Sequence, residues 1–258
     1  MDRDVLRFLL RFTVATTDQL TRLFYGDRTS RHASELACWR MLHRLHGSNL
    51  MARLPRRVGG LTGGSAPSLW YLTNAGARLM AQSVKPEKRA TRIRAGEPPA
   101  ITTLNHRLMV AETYVRLRLL KQSGQLDILE FANEPACWRR FADMGGGVTM
   151  LKPDAWAHTA AHGSRYEWYW FLEADLGTEG RAAIGRKADA YETYRQTGLE
   201  QDRQHVFPKV VWITPSQTRA DKLDALFAAE HLAAGHQAMA LDQFASLVAN
   251  HQTATSET

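Results

Sequence analysis

SRHASELACWRMLHRLHGSNLMARLPRR, residues 30–57, is the stretch on which the reading of the fold turns. Ser30 is a residue type that caps helix N-termini, and helical spacing runs from it to about His46. Ala33, Leu36, Ala37, Met41, Leu42 and Leu45 make an apolar face on that helix, and Arg31, His32, Ser34, Arg40, His43 and Arg44 make the other. After it the period changes. Leu50 to Arg57 reads as extended chain ending in two arginines, Arg56 and Arg57. Gly59, Gly60, Gly63 and Gly64 form a loose loop, and Ser68 to Leu72 reads as a second strand.

Working outward, Asp4 to Phe12 is a helix with Val5, Leu6, Phe8, Leu9 and Phe12 at helical spacing. Thr16 or Thr17 caps a second helix that carries Leu20, Leu23 and Phe24. Beyond the hairpin, Thr73 caps a last helix from Ala75 to Gln82. Three helices, a hairpin with a basic glycine-rich tip and a further helix are the order of a winged helix-turn-helix, here over residues 1–82. A helix is narrow enough to enter the major groove of duplex DNA. Arg31, His32, Ser34, Arg40 and Arg44 are the expected groove residues, with Arg56 and Arg57 on a wing against the phosphate backbone. Residues 83–100 read as a basic, proline-containing linker.

Charge supports the same partition. The 258-residue chain carries a net charge of +7, but residues 1–100 hold 17 Lys and Arg against 7 Asp and Glu. The remainder is slightly acidic, with 16 against 19. A basic half calls for a polyanion, and double-stranded DNA is the expected partner. No apolar run approaches the roughly 18 residues of a membrane span. The two aspartates in MDRDVLRFLL are unlike the basic start of a secretory signal, so a cytoplasmic location is expected. Cys38 and Cys137 have no neighbours at metal-ligand spacing and read as reduced core residues. No glycine-rich stretch has the lysine of a phosphate-binding loop.

The second half, residues 101–250, reads as helix, three strands, helix, strand and closing helices, with a flexible polar tail at 251–258. The helix spans Thr103 to Gln122, and the strands are 126–132, 149–157 and 167–174. The next helix is 178–196, followed by a short buried strand at 209–213. Asp154 follows Pro153, and Glu173 and Asp175 sit two apart, on one side of a continuous strand. Three carboxylates on neighbouring strands can hold a hard cation such as Mg2+, which would activate water for phosphodiester cleavage.

These residues resemble the PD-(D/E)xK nuclease fold, a restriction-endonuclease-like αβββαβ core. Pro153-Asp154 and Glu173-Ala174-Asp175 stand where that pattern has Pro-Asp and acid-x-Lys, with Asp175 in place of the lysine. The resemblance implies that Lys187, on the following helix, supplies the cation from a migrated position, and that Glu112 adds an acid. The whole chain resembles the replication-relaxation family of actinobacterial plasmids and integrated elements. LWYLTNAGARLM at 69–80, LNHRLMVAE at 104–112, KPDAW at 152–156, FLEADLGTE at 171–179 and KADAYETY at 187–194 carry the likeness.

That likeness implies an α+β and α/β two-domain protein acting in replication, relaxation or transfer of a mobile element. Three functions follow as expectations. The first is a DNA-binding accessory or regulator. The second is a Mg2+-dependent endonuclease delivered to DNA by its winged helix. The third is a catalytically degenerate module that docks on a replication or transfer protein. Palindromic half-sites would call for a homodimer.

Overall fold

The computed structural model describes residues 1–54, 67–82, 96–142, 145–163, 166–232 and 235–253, without the side chains of 249–253. The chain is mixed α/β and divides into two compact units, Met1–Val115 and Arg116–Thr258.

The first unit begins with α1 (Asp2–Phe12), β1 (Val14–Thr16) and α2 (Thr17–Tyr25). It continues with α3 (Arg31–Gly47), β2 (Met51–Arg53), β3 (Leu69–Leu72) and α4 (Asn74–Gln82). The caps are those the sequence calls for. Thr16 Oγ1 accepts from the Gln19 amide, and the Gln19 side chain accepts from the Thr16 amide, a reciprocal capping box. Ser30 Oγ accepts from the Ala33 amide and starts α3. The Thr73 hydroxyl accepts from the Gly76 amide at 3.2 Å and starts α4. Gly76 cannot carry a side chain without a shift, because a Cβ there would lie 2.0 Å from the Leu50 carbonyl oxygen. The strands form an antiparallel sheet in the order β1-β3-β2. The short strand β1 was not expected, since three residues are too few for a period to show.

Next comes α5 (Ile101–Gln122), and the division between units falls inside it. Its first half is bound into the first unit. Tyr114 packs on Phe12 at 5.0 Å between ring centroids, and the Gln19 side-chain amide donates to the Leu108 carbonyl at 3.1 Å.

The second unit follows with β4 (Leu126–Asn133), β5 (Arg139–Ala142), β6 (Val148–Leu151), β7 (Ala155–Ala161) and β8 (Glu167–Ala174). Then come α6 (Arg181–Gln196), α7 (Leu199–Gln204), β9 (Lys209–Thr214), α8 (Gln217–Ala229), β10 (His236–Ala240) and α9 (Leu241–Thr253). Five strands form a mixed sheet in the order β10-β9-β8-β7-β4. β4, β7 and β8 pair antiparallel, and β8, β9 and β10 parallel.

The strand expected over 149–157 is two strands in two sheets. β6 pairs with β5 in a separate hairpin, and β7 joins the large sheet. Pro153 lies between them and has no N–H to continue a ladder. Strand β10 lies where closing helices alone were expected. His158, inside β7, contacts Glu167 at 2.6 Å, and His162 contacts Asp127 at 3.0 Å. Trp156, Phe171, Tyr191, Tyr194, Trp212 and Phe227 dominate the core between the sheet and helices α6 and α8. Cys38 and Cys137 are free and buried, as expected. Among the described residues, no helix is long and apolar enough to cross a membrane.

Candidate functional sites

The first site is the outward face of α3. The buried stripe of this helix is Ser34, Cys38, Met41, Leu42 and Leu45, a helical repeat. That stripe corrects the expected faces at two places. Ser34, expected in a groove, is 5% exposed, and its hydroxyl donates to the Ser30 carbonyl at 3.2 Å. This local bond satisfies a small polar group and lets it take a core position. Leu36, expected in the core, is 38% exposed. The helix phase is set by what packs beneath it, and hydrophobicity alone misplaces both residues.

Arg31, His32, Arg40 and Arg44 are all exposed. Arg31 pairs with Glu35 at 2.8 Å, one turn along, and Arg44 takes Asp2 in a bidentate contact with both oxygens at 2.7 Å. These partners hold both guanidiniums protonated, and in water such pairs are weak and exchangeable. His32 and Arg40 have no partner among the described residues. Arg56 and Arg57 lie outside the described residues, as do the linker's lysines and arginines at positions 85–94.

The second site is at the ends of β7 and β8. The antiparallel register pairs Ala155 with Leu172, so one step further Asp154 comes beside Glu173. Asp154 is fixed there by the Ala174 amide, which donates to its Oδ2 at 2.8 Å. On α6, Ile184, Ala188, Tyr191 and Tyr194 form the buried stripe. Lys187 and Tyr191 are four residues apart and so share a helix face. The Tyr191 hydroxyl donates to Glu173 Oε1, and the Lys187 ammonium contacts Glu173 Oε2. Lys187 Nζ also lies 3.8 Å from Asp154 Oδ2 and 5.7 Å from the Trp212 ring centre.

Glu173 is 1% exposed and Asp154 6%. Burial, followed by the like charge of Asp154, pushes the Glu173 carboxyl well above the usual range, and Lys187 and Tyr191 oppose that. Burial by itself would lower the Lys187 ammonium, but the two carboxylates outweigh it and raise its affinity for the proton. Lys187 is therefore a fixed positive charge held by two acids on a largely dry sheet.

Of the other expected site residues, Asp175 stands just past β8 and is held by a different cation. Arg219, near the start of α8, donates through Nε to its Oδ2 at 2.5 Å and through Nη2 to its Oδ1 at 3.1 Å. Glu112 lies in the first unit, where it accepts from Arg22 at 2.6 Å and from Gln19 at 3.2 Å. The structure thus brings Asp154, Glu173 and Lys187 together and places Asp175 and Glu112 in other networks. The ligand oxygens of Asp154, Glu173 and Asp175 do not gather within 4.8 Å of one another. As arranged, this donor set fits an ammonium and not a three-carboxylate Mg2+ site.

Tyr191 was not among the expected site residues, yet its hydroxyl is part of the cluster. The four-residue step from Lys187 was the available signal. Nothing in the sequence marks Arg219 as the partner of Asp175.

The replication-relaxation family model matches residues 6–210, which include α3, the β7–β8 carboxylates and Lys187. The chain belongs to the replication-relaxation family. Membership suggests a role in replication or relaxation of a plasmid or mobile element. No curated protein and no solved structure matches the chain.

Proposed function

We propose that this replication-relaxation protein is a double-stranded-DNA-binding protein of a plasmid or mobile element, with its first unit acting as a winged helix. One observation carries the reading: α3 buries one stripe and turns Arg31, His32, Arg40 and Arg44 to solvent in a unit of helices and a small antiparallel sheet. Exposed guanidiniums with weak or no partners can exchange those partners for phosphates or base edges, releasing counterions from the DNA. The test is the affinity of the full chain for random-sequence duplex as salt is varied. Wild type should bind with a steep negative dependence on log salt. Arg40→Ala should weaken binding and reduce the slope by about one. Binding indifferent to salt would reject the reading.

A second reading rests on the contact of Lys187 with both Asp154 and Glu173. It makes the second unit a nuclease-like domain of the PD-(D/E)xK type with its lysine on α6. Lys187 would neutralise a phosphodiester oxygen, and the carboxylates would orient water. Supercoiled plasmid, with and without Mg2+, separates the possibilities. Nicking by wild type but not by Asp154→Ala establishes an endonuclease. Intact plasmid with intact binding leaves a scaffold that docks on a replication or transfer protein.

A further inference from the structure

On the outward side of α3 lies an apolar strip that the DNA-binding reading does not require. Trp39 is 54% exposed and Leu36 38%. With His32, Arg40 and His43 they occupy positions i, i+4, i+7, i+8 and i+11, so the five share one helix face, turned away from the buried stripe. The Trp39 ring lies 4.0 Å from the His43 ring, centre to centre, which restrains it on the surface. Ring and methyl groups held in water are costly unless something apolar covers them.

The surroundings say what that is. Arg40 lies on this face and Arg44 beside it, and Glu35, already paired with Arg31, is the acid on the helix. Such a rim complements a polyanion. In the major groove of duplex DNA, the apolar group that base edges present is the 5-methyl of thymine.

We propose that Trp39 and Leu36 are specificity residues of the first unit, covering thymine methyl groups in the major groove while Arg40 contacts the adjoining base edge or phosphate. This rests on the DNA-binding reading and adds a base preference to it. Trp39 fixes where thymines must lie, and the arginines supply affinity common to all sequences.

The test uses the full chain. Bound duplexes are selected from a random pool, and each thymine of the selected site is then replaced by uracil, which removes only the methyl. Wild type should lose affinity by about fourfold per contacted methyl. Trp39→Ala should bind thymine and uracil duplexes alike, with an unchanged melting temperature because the ring is exposed. Uracil duplexes bound as tightly as thymine duplexes by wild type would overturn the proposal, and no variant is needed for that result. Salt-dependent binding would then still support the DNA-binding reading, whereas no duplex binding by wild type would sink both. A dimer lost in Trp39→Ala, with no response to uracil, would overturn the proposal in favour of a second copy of the chain as the occupant.

Discussion

The outward face of α3 and the cluster at the ends of β7 and β8 are built from the same kinds of residue under opposite conditions. On α3, Arg31 and Glu35 are 87% and 51% exposed, and their pairing costs and gains little in water. At the sheet, Glu173 is 1% exposed and Asp154 7% by side chain, so each charge must be neutralised or lost. The first arrangement leaves cations ready for a new partner. The second commits a cation to its place. A surface that binds an extended polyanion needs the former, and a fixed charge that could meet one phosphate needs the latter.

The largest effect should come from breaking the buried set. Lys187→Met leaves two carboxylates with no cation and should cost about 3–5 kcal/mol of stability by urea denaturation. The loss should grow with pH. Glu173, already pushed up by burial and by Asp154, would rise further without Lys187. The folded state would then hold a proton that the unfolded chain releases above its ordinary carboxylate value, so stability falls as pH rises above that value. A variant no more sensitive than wild type to rising pH would show that Lys187 does not compensate Glu173.

Histidine gives the next comparison. His236 is 7% exposed and accepts from the Trp212 indole N–H at 3.0 Å, and burial holds it down to about 4. A depressed histidine stabilises the fold fully above its ordinary value of 6.5. That contribution, about 3 kcal/mol, should vanish progressively as pH falls from 6.5 to about 4. His236→Asn should remove this part of the acid sensitivity, whereas His32→Asn and His43→Asn on exposed α3 should leave it intact. An unchanged acid limb in His236→Asn would assign the effect to other groups.

The smallest effect on stability should come from α3. Arg31→Ala and Arg40→Ala together should leave the melting temperature unchanged while weakening duplex binding. A clear drop in melting temperature would mean that the face is structural, and the contrast between the two regions would collapse.

The extent to which each region was legible follows from the same physics. Strand 167–174 and the caps at Thr16, Ser30 and Thr73 were readable because they depend on neighbours in sequence. Lys187 was nameable only through family resemblance, since its contact with Glu173 spans a helix crossover. Ser34 and Leu36 were exchanged between faces because a hydroxyl bonded to its own helix can be buried, while a leucine can be left out when nothing among the described residues packs above it. Asp175 was grouped with Glu173 by a period of two that ends when β8 ends, one residue earlier.

By itself the sequence determined the longer helices and strands, the basic character of the first hundred residues and the acids at 154 and 173. These rest on periodicity, capping and charge, which act over a few residues. Only the tertiary structure decided which charges meet. The antiparallel register of β7 and β8 delivers Asp154 to Glu173, the crossover through α6 brings Lys187 and Tyr191 over them, and α8 gives Asp175 to Arg219. Burial then makes those encounters decisive, because a charge removed from water is held by whatever lies within a few ångströms of it, however distant in sequence.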